Sequence, residues 1–123
     1  MDFLKNILWA GAGSFVGGSL RYMISCLIKY NGGFPWATFA VNLTGCLVIG
    51  LLWGWFCRTP NVSQQFVLFL SVGLCGGFTT FSTFSKESVM MLQTGNYLLL
   101  TLYVLGSVLL GIALVAAGYY LAK

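Results

Sequence analysis

The chain has 123 residues, enough for one domain, but 59% of them are apolar and only 7% are charged. So few charges cannot clothe a water-facing surface, which excludes an ordinary soluble domain and points to an all-α membrane protein of one domain, residues 1–123. The net charge of +4 rests on basic residues scattered singly at helix ends, with no patch and no interleaved aromatics, so it gives no argument for nucleic acid.

A bilayer core of about 30 Å needs about 20 apolar residues per helix. Four stretches meet that need: Leu4 to Ile28, Trp36 to Phe56, Phe66 to Leu92 and Tyr97 to Leu121. The first is too long for a signal peptide and carries Arg21 near its far end, so it is expected to be a retained span. Within it Gly13 and Gly17, and Ser14 and Gly18, recur at four-residue spacing, which lets another backbone come close. Arg21 has two readings: it snorkels to the headgroups, or it faces a water-filled vestibule and draws anions in. Tyr22, Lys29 and Tyr30 mark the membrane surface.

The segment Asn31-Gly32-Gly33-Phe34-Pro35 reads as a turn, with Pro35 suited to open the second helix. On that helix Thr38, Asn42, Gly45, Cys46 and Ile49 form one stripe. Asn42 is the amide well inside a span, about 9 Å from the helix start. Buried in hydrocarbon it needs partners: its NH₂ group can donate to an anion, or it can glue helices together by a hydrogen bond. After the polar turn from Arg58 to Ser63, Ser63 is placed to cap the third helix.

The third span carries the sequence Cys75 to Lys86, with two adjacent glycines and five hydroxyl side chains (Thr79, Thr80, Ser82, Thr83, Ser85) near its middle. A break is expected at Gly76-Gly77. At that depth lipid offers no water to loose backbone groups, so a break persists only when buried in protein or lining a wet path. The plainer alternative is a kinked helix whose hydroxyls bond back to their own backbone. Beyond the break Phe81 and Phe84 share one face, and Ser82 and Ser85 a second. Glu87 is the sole acid in the body of the chain. In the fourth helix Tyr103, Ser107 and Gly111 repeat every four residues, a stripe able to sit beside the third helix and extend a line of hydroxyls.

With four spans, Lys5, Arg58 and Lys123 share one side with Asp2, while Lys29 and Lys86 share the other with Glu87. The Lys/Arg bias that fixes orientation is nearly absent, and such a chain is expected to insert both ways up. The cysteines Cys26, Cys46, Cys57 and Cys75 make no CxxC pair and there is no histidine, which leaves metal-ligand and Cys/His nucleophile chemistry without parts. Paired carboxylates and a Walker-type phosphate loop are also absent from the sequence, so no enzyme is expected. What remains is a set of uncharged donors around a helix break: Asn42, hydroxyls, freed N–H groups and the positive edges of Phe rings, all of which attract anions. Carbonyls freed by the same break can hold a hard cation.

Gly-Gly-Phe-Thr-Thr-Phe-Ser-Thr-Phe-Ser at 76–85, the Asn42 helix with Thr38 and Gly45, Gly17-Gly18-Ser19-Leu20-Arg21-Tyr22, and Tyr103 with Ser107 together resemble the Fluc (CrcB) family of fluoride channels, over essentially the whole chain. The resemblance implies a passive fluoride-selective channel of the cell inner (plasma) membrane, built as an antiparallel, dual-topology homodimer with two pores. It implies that Phe81 and Phe84 line the pores, that Asn42 is an amide donor, and that Ser82, Thr83, Tyr103 and Ser107, with Thr38, form a polar track. It also implies a structural sodium ion (Na+) at the dimer centre, held by the carbonyls of Gly76 and Thr79 from both subunits, with Arg21 and Glu87 at the vestibule. The competing expectations are a small dual-topology four-helix multidrug exporter, which needs a membrane-embedded carboxylate that the first helix lacks, and a purely structural membrane subunit.

Overall fold

The computed structural model describes residues 2–123. Helix α1 spans Phe3–Leu27 and α2 spans Trp36–Arg58. The third span begins as α3, Gln64–Val67, continues as a π-helical segment, Leu68–Cys75, and ends as α4, Gly76–Phe78. It resumes as α5, Phe81–Gln93, and α6 spans Tyr97–Ala122. Ser63 caps α3 as its position suggested, accepting the Phe66 N–H at 3.2 Å. Gly32 and Gly95 take positive φ, 90° and 77°, in the turns before α2 and α6, where a Cβ would be strained.

Among the described residues, three stretches are long and apolar enough to cross a membrane: Trp36–Arg58, Gln64–Gln93 and Tyr97–Ala122, with mean hydropathies of 1.7, 1.6 and 2.5. The fourth expected span, α1, has the length at 25 residues but not the hydropathy, because glycines, serines and Arg21 dilute its apolar side chains. Large apolar side chains are exposed along α1, α2, α5 and α6, as suits helices whose surroundings are not water.

The helices pack as two intimate pairs, α1 along the π-helical segment and α4, and α2 along α6, with α5 folded against α6. Small residues set both contacts. A Cβ on Gly77 would lie 2.7 Å from the Ser14 carbonyl oxygen of α1, and one on Gly118 would lie 2.6 Å from the Leu47 carbonyl oxygen of α2. The small-residue stripe of α1 therefore receives the third span, as its spacing suggested. The fourth-helix stripe divides. Tyr103 meets α5, whereas Gly111 faces Cys46 of α2, so this stripe serves the α2 pair as much as the third span.

The expected break at Gly76-Gly77 is corrected by two to three residues. Both glycines are helical, and the chain leaves the helix at Thr79 (φ −83°, ψ 159°) and Thr80 (φ −149°, ψ 118°). Gly77 serves close packing on α1, against the Ser14 backbone, which compensates its weak helix propensity. The π-helical turn that precedes them has no counterpart in the sequence reading; in it the Gly76 N–H reaches the Ser71 carbonyl, five residues back.

Candidate functional site: an interrupted helix between two small compartments

The interruption is held by side chains that replace the lost backbone ladder. The Asn42 Oδ1 accepts the Thr80 N–H at 2.8 Å and its Nδ2 donates to the Thr80 carbonyl at 3.1 Å. One amide on α2 thus satisfies both polar groups of a residue that belongs to no helix. The Thr80 hydroxyl caps α5, accepting the Thr83 N–H at 3.2 Å, while the Thr79 hydroxyl donates back to the Cys75 carbonyl at 3.0 Å. On the α1 side the Arg21 Nε–H donates to the Gly77 carbonyl at 3.2 Å.

Two carbonyls lose their helical donors by this arrangement. An unbroken helix would give the Thr80 N–H to Gly76 and the Thr83 N–H to Thr79. Those N–H groups go instead to Asn42 and to the Thr80 hydroxyl. Gly76 and Thr79 both border an open groove of about 430 Å³. Among the described residues no cluster of three or more His, Cys, Asp or Glu could hold a metal, so the oxygen donors suited to a hard cation here are backbone carbonyls.

Beyond the interruption, α5 presents an aromatic face and an acid. Phe81 and Phe84 stand 5.8 Å apart between ring centroids, and Phe84 lies 4.9 Å from the Tyr103 ring. Phe81 is 78% exposed in the protomer, so its ring stands at the groove's rim, while Tyr103 is fully buried at 0%. Glu87 accepts from two hydroxyls, Tyr103 OH at 2.8 Å and Thr38 Oγ1 at 3.0 Å. The carboxylate thereby ties α2, α5 and α6 together.

The residues expected to form one polar track are divided. Asn42, Phe81, Phe84 and Ser107 border the large groove with Thr80. Arg21, Thr38 and Thr83 line a smaller pocket of about 50 Å³, again with Thr80. Thr80 is the wall common to both, yet it was expected only as one of five hydroxyls near the break, with no place in the polar track. Its signal was present, a hydroxyl residue directly before a helix restart. Ser82 borders neither compartment and is exposed, its hydroxyl 3.4 Å from that of Thr80. Among the described residues the Ser107 hydroxyl is buried with no hydrogen-bond partner. Arg21 is part-buried and engaged with a carbonyl, which argues against the snorkelling alternative. Glu87, expected only near a mouth, proves to be the acceptor of Thr38 and Tyr103.

Nothing in this arrangement activates a nucleophile or pairs an acid with a base. It offers weak, uncharged donors to an anion and bare carbonyls to a cation, which are the parts of an ion pathway. Comparison with known proteins agrees. Residues 8–119 match the family described as CrcB-like protein, Camphor Resistance (CrcB). A relative from Phocaeicola vulgatus, named fluoride-specific ion channel FluC, is 42% identical over 122 residues, covering 98% of this chain and 100% of its own. Relatives of the same name from Chlorobaculum tepidum and Oceanobacillus iheyensis are 43% and 39% identical, covering 98% and 97% of this chain and 96% and 92% of their own. A family match across nearly the whole chain, joined to relatives this similar, means that the chain belongs to the CrcB-like family.

Proposed function

We propose that the chain is a passive, fluoride-selective channel that lets accumulated fluoride leave a bacterial-type cell, and that it lies as a multi-pass protein in the inner (plasma) membrane. The observation that carries this reading is the interruption at Thr79-Thr80, pinned by Asn42 and bordered by Phe81, Phe84 and Ser107. Fluoride is small and holds its water tightly, so a path must return many weak hydrogen bonds without a fixed positive charge that would trap it. Asn42, the hydroxyls of Ser82, Thr83 and Ser107 and the edges of the Phe rings supply such donors. Tyr103 and Thr38 direct their hydroxyls to Glu87, so their contribution runs through that carboxylate.

The working assembly is an antiparallel, dual-topology homodimer with two pores, α1 serving as a fourth span. One observation supports it: the groove that Gly76, Thr79 and Phe81 border is open in the protomer. A two-fold axis passing by the groove would bring the Gly76 and Thr79 carbonyls of both protomers to one place. A sodium ion bound there would supply the positive charge that four converging carbonyl oxygens require. The exporter reading finds no support, since the one acid in the body of the chain is already engaged by two hydroxyls.

Liposomes loaded with fluoride or chloride test the proposal. The protein is expected to release fluoride rapidly, on an ion electrode, and to retain chloride. Asn42→Asp and Phe81→Ile should each lower fluoride efflux at least about tenfold, a change of about 1.4 kcal/mol in the barrier, while the dimer survives on size exclusion. Equal loss of both halides, or proton-driven dye transport, would overturn the reading.

A further inference from the structure

The sodium reading leaves open how the Gly76 and Thr79 carbonyls come to be free for the ion while the Gly77 carbonyl between them is not. Three positions bear on this. Gly76 and Thr79 have lost their helical donors to Asn42 and to the Thr80 hydroxyl. Gly77 lies between them, and its own helical donor would be the Phe81 N–H, on the far side of the interruption. Its carbonyl is instead taken by Arg21, 56 residues away in sequence, through the Nε–H at 3.2 Å. The guanidinium reaches it from a pocket shared with Thr38, Thr80 and Thr83.

Resting on that sodium reading, we infer that Arg21 is a positioning residue for the cation site: its Nε–H occupies the Gly77 carbonyl and fixes the last helical turn before the interruption. The interruption is thus clamped from both flanks, by α1 at Gly77 and by α2 at Thr80, with the Thr79 carbonyl between the clamps and the Gly76 carbonyl one residue before the first. Freed from Arg21, the Gly77 carbonyl would compete for water and for the ion, and the turn carrying Gly76 would lose its fixed end. Close packing on α1 reaches this turn at Gly77, against Ser14, and not at Gly76. A Cβ on Gly76 would meet nothing nearer than the Ser71 carbonyl oxygen, 3.9 Å away and within the same span. The long-range charge of Arg21 plays no part in this role.

Chemistry makes the charge and the cap separable. In Arg21→Gln the side-chain amide nitrogen falls at the same place along the chain as the arginine Nε, so the cap survives without the charge. In Arg21→Met both are lost at similar length. In reconstituted protein, fluoride efflux is followed as external and internal sodium are replaced together by N-methylglucamine. The sodium concentration giving half-maximal efflux should rise about tenfold in Arg21→Met and stay within about twofold of wild type in Arg21→Gln. If Gln and Met shift alike, charge is what matters and the inference is overturned. If Met leaves the sodium requirement unchanged, it is equally overturned. Wild-type protein that conducts fluoride with no need of sodium would sink the sodium reading, and this inference with it, while leaving the channel standing. Should Arg21→Met fail to give a dimer, Arg21→Gln decides: a tenfold shift there rejects the cap.

Discussion

Single side chains at the interruption do work that a helix normally does for itself. Asn42 matches both polar groups of Thr80, and a buried donor or acceptor left without a partner costs about 1–3 kcal/mol. Ser107 is the opposite case, a buried hydroxyl with no partner at all, beside the groove that Phe81 and Phe84 also border. Such a group is a liability unless something passing by accepts its hydrogen bond. Ser107→Ala should therefore leave thermal stability unchanged or raise it by about 1 kcal/mol, and yet lower fluoride efflux several-fold. A paired measurement of melting temperature and liposome efflux checks this. Lower stability with normal efflux would show that the hydroxyl serves packing.

At the scale of the helix, close backbone approach decides where each element sits. Gly77 lies against the Ser14 backbone, whereas Gly11 has open space around a Cβ. Gly77→Ala should lower the temperature at which the dimer is lost from a size-exclusion profile, while Gly11→Ala should match wild type or exceed it slightly, by about 0.5–1 kcal/mol of helix propensity. Equal effects would mean that α1 does not set the third span's position. Much of this level was legible in the chain: the Ser63 cap, the bounds of α2 and α6 to within two residues, and the small-residue face of α1. The break was placed too early because glycine's weak helix propensity is decisive where water competes for the backbone, and here the packed α1 backbone at Ser14 holds Gly77 helical. Its true position depends on Asn42, 38 residues from Thr80, and no local pattern encodes that pairing. The π-helical segment was invisible for a similar reason: its composition is that of any apolar helix.

The whole molecule poses the question of orientation. Lys5, Arg58 and Lys123 lie toward the end of the chain's fold that carries the termini, and Lys29 and Lys86 toward the other, so neither end holds a decisive excess. Lys/Arg counts in short loops set which way a membrane protein inserts, and a balanced count lets both orientations arise from one gene. An antiparallel dimer requires that mixture. Removing Lys29 and Lys86 as Gln should pin one orientation, and removing Lys5, Arg58 and Lys123 as Gln should pin the other. The second variant is tolerable, because glutamine can keep the bond that the Arg58 Nε makes to the Ala122 carbonyl at 2.7 Å, and Lys123 gives up only its approach to the Tyr119 and Tyr120 rings. Each variant expressed alone should protect fluoride-stressed cells poorly, and the two together should restore protection, with cysteine labelling from either side reporting opposite orientations. Full protection by either variant alone would mean that parallel subunits suffice, and the shared cation site on a two-fold axis in the membrane plane would have to be abandoned.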